Sequence, residues 1–273
     1  MSSEAEREAR AGARSGSRGG DDQLFRLDGE VAIVTGAAAG IGRAIALAFA
    51  AAGARIAVSD RDPDAARALA GEIERSGCTA IAIPADVTVE HDLIRLVAEA
   101  ERALGAPTIL VNNAGGGGPK PFDMPFDDFL RAYQLNVFSV FRLCQLVAPH
   151  MERAGRGAIV NVSSMAGENA NVDMSSYASS KAAVNHLTRN LAFDLGPRGI
   201  RVNAIAPGAI RTAALASVLT PEIESRMLTH TPLGRLGEPA DIARAARFLC
   251  SPAAAWISGQ VLTVSGGGSQ ELD

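Results

Sequence analysis

Cysteine is scarce in this chain: Cys78, Cys144 and Cys250 are the three among 273 residues. They lie far apart, show no metal-ligand spacing, and their odd number argues against a disulfide framework. A reducing compartment, the cytoplasm, is the simple reading. Excess positive charge is missing too. Lys and Arg number 26 against 30 Asp and Glu, a formal net charge of -4, so there is no electrostatic footprint for nucleic acid. No stretch is long and uniformly apolar enough to span a membrane; the run 44–54 is apolar but short, and Ala-rich like a packed helix. Residues 1–22 are rich in Ser, Gly, Ala, Arg and Glu and lack the apolar core of a secretory signal. They read as a disordered tail ahead of a domain at 23–273. What is present is ordinary globular material, 47% hydrophobic and 21% charged, enough for one large core.

Short runs rich in Val and Ile recur, each followed by a longer segment with apolar spacing near the helical period. The runs are VAIVTG (31–36), RIAVSD (55–60), TAIAIPAD (79–86), TILVNNAG (108–115), GAIVNVSS (157–164), IRVNAIAPG (200–208) and QVLTVSG (260–266). Strands without polar alternation, joined by helices, indicate a parallel sheet covered on both faces. The expected fold is therefore α/β: one Rossmann-like, doubly wound, seven-stranded parallel sheet with helices on both faces. The glycine-rich stretch NNAGGGGPKPFDMP (112–125) then falls beyond the carboxyl end of a central strand, where such sheets bind ligands. It is not a linker between domains.

The first strand runs into TGAAAGIG (35–42). Gly36, Gly40 and Gly42, with Ile41 between the last two, permit a tight turn and a close backbone approach to a pyrophosphate. The following helix offers free N–H groups and the positive end of its dipole. Asp60 ends the second strand, where a carboxylate accepts from both ribose hydroxyls of NAD and repels a 2′-phosphate. Arg61 follows and suits NADP, but Ala37, Ala38 and Ala39 put no second cation in the turn, so NAD is favoured. Asp60 also fits a turn or helix cap. Asp86, ending the third strand, is placed for the adenine amino group, with Val87 as a backbone contact; a capping role fits it equally.

SSYASSK (175–181) sets Tyr177 and Lys181 four apart, on one face of a helix. A free phenol ionises near 10. An ammonium about 4 Å away, at an effective dielectric of about 20, is worth about 4 kcal/mol, or about three pKa units. That would bring Tyr177 towards neutrality as a general base. Ser164, at the end of the fifth strand, is placed to donate to a substrate oxygen, with Ser163 competing for the role on sequence alone. Asn136 would sit inside a helix, where an amide is disfavoured by propensity, and is placed to hold a water linking Lys181 to solvent.

In this order and spacing, Gly36-x-x-x-Gly40-x-Gly42, NNAG (112–115), Ser164, Tyr177-x-x-x-Lys181 and PG (207–208) resemble the short-chain dehydrogenase/reductase family over about residues 24–273. The resemblance implies that Tyr177 is the general acid/base, Ser164 orients the substrate oxygen, Lys181 binds the nicotinamide ribose, and Asn136 is the fourth catalytic member. It implies that Asn113 and Gly115 lie along the cofactor and that Ile210 and Thr212 grip the nicotinamide carboxamide. It also implies a homotetramer, with the terminal strand in SGQVLTVSGGG (258–268) at one subunit contact.

The loops above the nicotinamide, 115–125 and 165–174, and a substrate lid at about 209–237 decide the substrate. The lid's length and Leu/Met content suit an apolar ligand; a plain surface helix pair is its alternative. NNAGGGGPKPFDMP, MAGENANVDMSSYASSK and TPEIE resemble the bile-acid-oxidising members of the family. That implies a steroid or bile-acid substrate, oxidised at its 7α-hydroxyl to the 7-ketone with NAD, and contacts from Gly117 and Asn169 beside Ser164 and Tyr177. Lys120 could meet the substrate's carboxylate, against the reading of a solvated loop lysine. Two rivals remain open at this stage, a 3-oxoacyl thioester reductase and a nucleotide-sensing scaffold without turnover.

Overall fold

The computed structural model describes residues 22–170 and 172–268. Residues 1–21, on which the expected tail falls, lie outside them. The seven strands β1 (Val31–Thr35), β2 (Arg55–Ser59), β3 (Ala80–Ala82), β4 (Ile109–Asn112), β5 (Gly157–Val162), β6 (Ile200–Pro207) and β7 (Val261–Val264) form one sheet in the order β3-β2-β1-β4-β5-β6-β7. Every pairing is parallel. This is the expected doubly wound sheet. All five residues of β1 are buried. Ala32 and Val34 pack into one core with Phe49, Ile73 and Leu249, while Val31 and Ile33 pack into the other with Leu96, Leu143 and Met151. Successive side chains point to opposite faces, so a strand covered on both faces is a near-continuous apolar run, broken in β1 only by Thr35 at its end.

The helices are α1 (Gly40–Ala51), α2 (Pro63–Arg75), α3 (Glu90–Leu104), α4 (Phe126–Tyr133), α5 (Ser139–Arg153), α6 (Ser175–Leu195), α7 (Ala213–Ala216), α8 (Pro221–Thr229) and α9 (Pro239–Cys250). α4 runs into α5 through a π-helical turn, Gln134–Phe138. β3 is shorter than its sequence run, because Pro84 follows closely and cannot donate to a ladder. The segment 209–237 contains the short helices α7 and α8, and Arg211 pairs with Glu224 at 2.5 Å and with Glu238 at 3.6 Å. Among the described residues no helix is long and apolar enough to cross a membrane.

The strand order reverses direction at β1, which pairs with β2 on one side and β4 on the other. The carboxyl ends of β1 and β4 therefore open into one crevice, the usual ligand position of this architecture.

Candidate active site

Between β1 and α1 the backbone turns left-handed at Gly36 (φ +59°) and Gly40 (φ +54°). A side chain at Gly36 would meet Ala114 Cα at 2.9 Å, and one at Gly42 would meet the Gly36 carbonyl at 2.2 Å and Asn113 Nδ2 at 2.5 Å. The turn is thus pressed against the end of β4 and admits only glycine. Asn113 closes it: Nδ2 donates to the carbonyls of Thr35 and Gly36, each at 2.9 Å. Thr35 Oγ1 accepts from the amides of Asn113 and Ala114 and donates to the Val111 carbonyl. Sequence reasoning missed Thr35, although a hydroxyl residue opening the glycine turn was visible. α1 has no side-chain cap on its N-terminal amides, which leaves their donors and the dipole facing the crevice.

Asp60 Oδ2 accepts from the Ala38 amide at 2.9 Å and Oδ1 from the Asp62 amide at 3.1 Å. The cap of α2 is Asp62 instead. Asp60 therefore braces the glycine turn while its carboxylate lines the crevice beside Arg61. Asp86 Oδ1 accepts from the amide and hydroxyl of Thr88 at 2.8 and 2.7 Å, so it is a turn residue that also lines the crevice, as does Val87.

Tyr177 and Lys181 lie one turn apart on α6, whose buried stripe is unusually polar: Ser176, Ser180, Lys181, Asn185 and Thr188. Buried polar groups require partners. Lys181 Nζ donates to the Val162 carbonyl at 2.9 Å and sits 5.8 Å from the centroid of the Tyr177 ring. Burial lowers the Lys181 ammonium to about 8. Burial also raises the Tyr177 phenol, with its hydrogen bond to Ser164 pulling the other way. The expectation of a phenol brought down by its lysine is thereby corrected for the protein alone. Desolvation disfavours the phenolate, and the ammonium is turned to a carbonyl.

The two serines now separate. Ser163 Oγ donates to the Lys181 carbonyl at 3.1 Å, fastening β5 to α6. Ser164 accepts from the Ala166 amide and faces the phenol. Asn136 sits in the π-turn, 1% exposed. Its Oδ1 accepts from the Gly116 amide at 3.0 Å, and its Nδ2 donates to the Gly116 carbonyl at 2.9 Å and to Ser180 Oγ at 3.0 Å. Asn136 therefore pins the glycine run. A side chain at Gly115 would lie 2.9 Å from Asn136 Oδ1 and 3.1 Å from Lys181 Nζ, so amide and ammonium flank the same bare backbone. Gly117 (φ +148°) packs on the catalytic ring, and an added Cβ would stand 2.5 Å from Tyr177 Cδ2. At Gly117 the space beside the run is taken by Tyr177, while Gly116 and Gly118 stand open.

A single cleft of about 1120 Å³ joins these parts. It is lined by Gly36, Gly40, Ile41, Asp60, Arg61, Asp86, Val87, Asn113 and Gly115 at one end and by Gly117, Ser164, Tyr177, Lys181, Ile210 and Thr212 at the other. Gly42 and Asn136 stand behind the lining. Asn169 is also off it, on the loop after Ser164, with its buried Nδ2 lacking a partner among the described residues. The 209–237 segment contributes Ala213, Ala214, Leu215 and Met227. Among the described residues no cluster of His, Cys, Asp and Glu is built to hold a metal.

A glycine turn feeding a phenol, a hydroxyl and a buried ammonium defines a class of nicotinamide-dependent oxidoreductase, and the chain belongs to the short-chain dehydrogenase/reductase family. Residues 36–269 match the family model described as enoyl-(acyl carrier protein) reductase. The chain is similar to 7α-hydroxysteroid dehydrogenase of Escherichia coli strain K12, 63% identical over 249 residues that span 91% of this chain and 98% of that protein. A solved 7α-hydroxysteroid dehydrogenase complexed with NADH and 7-oxo glycochenodeoxycholic acid superposes with a TM-score of 0.90 at 62% identity, covering 93% of this chain and 99% of that one. The galactitol 2-dehydrogenase (L-tagatose-forming) of Cereibacter sphaeroides is 43% identical, over 89% of this chain and 96% of that protein.

Proposed function

We propose that this protein is an NAD-dependent oxidoreductase that interconverts the 7α-hydroxyl of a bile acid or related steroid with the 7-ketone. The observation that carries the reading is the cleft itself, which runs unbroken from the glycine turn to Ser164, Tyr177 and Lys181 beneath an apolar lid. The residues present fit the cofactor. The uncapped N-terminus of α1 and the glycines of the turn suit a pyrophosphate, and the Asp60 carboxylate suits unphosphorylated ribose hydroxyls. Asp86 and Val87 would hold the adenine, Asn113 and Gly115 the middle of the molecule, and Ile210 and Thr212 the carboxamide. NAD, when bound, supplies the hydride acceptor.

The chain's own residues handle the proton. Tyr177 Oη takes it from the substrate hydroxyl during oxidation and returns it during reduction. Ser164 Oγ holds the substrate oxygen and stabilises the charge developing there. Lys181 holds the ribose and passes the proton outward with Asn136. Gly117, on the cleft wall, and Asn169, on the loop after Ser164, complete the steroid contacts. Residues 23–273 form one domain whose lid, 209–237, closes over the steroid, and the protein works in the cytoplasm. A homotetramer is supported by two apolar faces, Phe138 and Phe141 near the start of α5, and Leu262 on the edge strand β7.

The test is NAD reduction with bile acids differing in the 7-hydroxyl, beside simple secondary alcohols and a 3-oxoacyl thioester with NADPH. Selective oxidation of 7α-hydroxyl substrates is expected; preference for the thioester would replace the reading. Tyr177→Phe is expected to lower turnover by at least about 10³-fold while NADH still binds, as followed by fluorescence titration.

A further inference from the structure

The charged residues lining the cleft fall into three places. Asp60, Arg61 and Asp86 lie at the nucleotide end, Lys181 lies at the catalytic floor, and Lys120, Asp128 and Arg131 form a third group on the wall made by the 115–125 loop and α4. The bile-acid reading gives the first two groups their roles and leaves the third without one. Lys120 Nζ contacts Asp128 Oδ2 at 2.6 Å, and Arg131 Nη2 contacts Asp128 Oδ1. The two cations hold the Asp128 carboxyl below its ordinary range, Lys120 foremost. One carboxylate therefore orients two cations, and the group carries a surplus positive charge.

The group is also held in place. Lys120 lies between Pro119 and Pro121, and its amide donates to the Asp173 carbonyl at 2.6 Å, which ties the glycine-rich loop to the loop after Ser164. Asp128 sits in the first turn of α4, where a carboxylate is favoured by the helix dipole. The Asp128 side chain is 20% exposed, while those of Lys120 and Arg131 are 43% and 67% exposed, so the donors reach the solvent side of the cleft. Elsewhere the substrate end is lined by Ala209, Ile210, Ala213, Leu215 and Met227. A ligand that complements this end has an apolar body and one anionic group at its far edge.

We infer that Lys120 and Arg131, braced by Asp128, form a carboxylate subsite that binds the acidic side chain of the substrate and selects acidic steroids over neutral ones. The inference rests on the bile-acid reading above. It is consistent with the solved relative whose steroid is itself an acid, 7-oxo glycochenodeoxycholic acid. Rim charges of this kind act through modest, salt-screened attraction.

The test compares KM for a glycine-conjugated 7α-hydroxy bile acid with KM for its methyl ester, in the wild type, Lys120→Met, Arg131→Met and the double variant. In the wild type the acid is expected to have the lower KM, by about five- to tenfold, and the preference is expected to shrink as ionic strength rises. In the double variant the two KM values are expected to converge with kcat for the acid little altered. Lys120→Arg is expected to keep the preference, which separates lost charge from a damaged fold. An ester-to-acid KM ratio that is the same in wild type and double variant overturns the subsite. If the wild type oxidises neither compound, the bile-acid reading itself fails; if it oxidises both with equal KM, the subsite alone fails.

Discussion

Lys181 keeps its ammonium in the core with the Val162 carbonyl as its hydrogen-bond partner. Burial lowers it from 10.5 to about 8, a difference worth about 3 kcal/mol. Below about pH 8 the residue is charged in both folded and unfolded chains, and the full burial cost is borne. Between about 8 and 10.5 the folded protein sheds the proton first, so this group's contribution to stability rises with pH. Lys181→Met is therefore expected to stabilise the nucleotide-free protein at pH 7 by about 1–3 kcal/mol while abolishing turnover. Urea melts at pH 7 and pH 10 check it: the advantage should shrink at the higher pH. Gly117 makes a second case at this scale. Its φ of +148° is unfavourable for a side chain, and a Cβ would strike the Tyr177 ring. Gly117→Val is expected to lower kcat for the steroid by at least about 100-fold through misplacement of the phenol. The dissociation constant for NADH should stay within about threefold, and steady-state kinetics beside a fluorescence titration decides.

At the scale of elements, the junction between the 209–237 segment and the core rests on Asp241 at the start of α9. Its Oδ2 accepts from the Glu238 amide at 2.9 Å and from Arg235 at 2.7 Å, and its Oδ1 accepts from Arg244 at 3.1 Å. These bonds, Arg235 first, hold its carboxyl at about 2. The contribution is complete above the ordinary aspartate value near 4 and is lost as pH falls through about 2. Asp241→Asn is expected to cost about 1–2 kcal/mol at pH 7, with the gap from wild type closing as pH falls from about 4 to about 2. Urea melts across that range check it. The π-turn is the other decisive element. It aims Asn136 across the fold at Gly116 and Ser180, and such bulges recur at functional sites.

For the whole molecule, the edge strand β7 leaves Leu262 37% exposed, with Trp256 fully exposed nearby in the chain. An apolar sheet edge invites pairing or coverage. Leu262→Glu is expected to shift the proposed tetramer towards smaller species in sedimentation velocity. A single unchanged species would sever β7 from the assembly.

Much of the molecule was readable from the chain before it was folded. The seven strands were legible because burial on both faces demands continuous apolar runs, as β1 shows. The glycine turn and the Tyr177–Lys181 pair were legible because each depends on local spacing, a tight turn in one case and one helical turn in the other. The choice of Ser164 over Ser163 was not, since it depends on which hydroxyl meets the Lys181 carbonyl across β5 and α6. Nor was the role of Gly117, whose neighbour Tyr177 is brought to it through space. The same holds for the two cations gathered on Asp128 and for the rise of the Tyr177 phenol against expectation. The sequence by itself determined the sheet, the glycine turn and the Tyr177–Lys181 pair, because those follow from periodicity and near neighbours. Only the tertiary structure decided which groups are buried, which are paired and which are left to act, because desolvation and long-range hydrogen bonds exist only once distant segments are packed together.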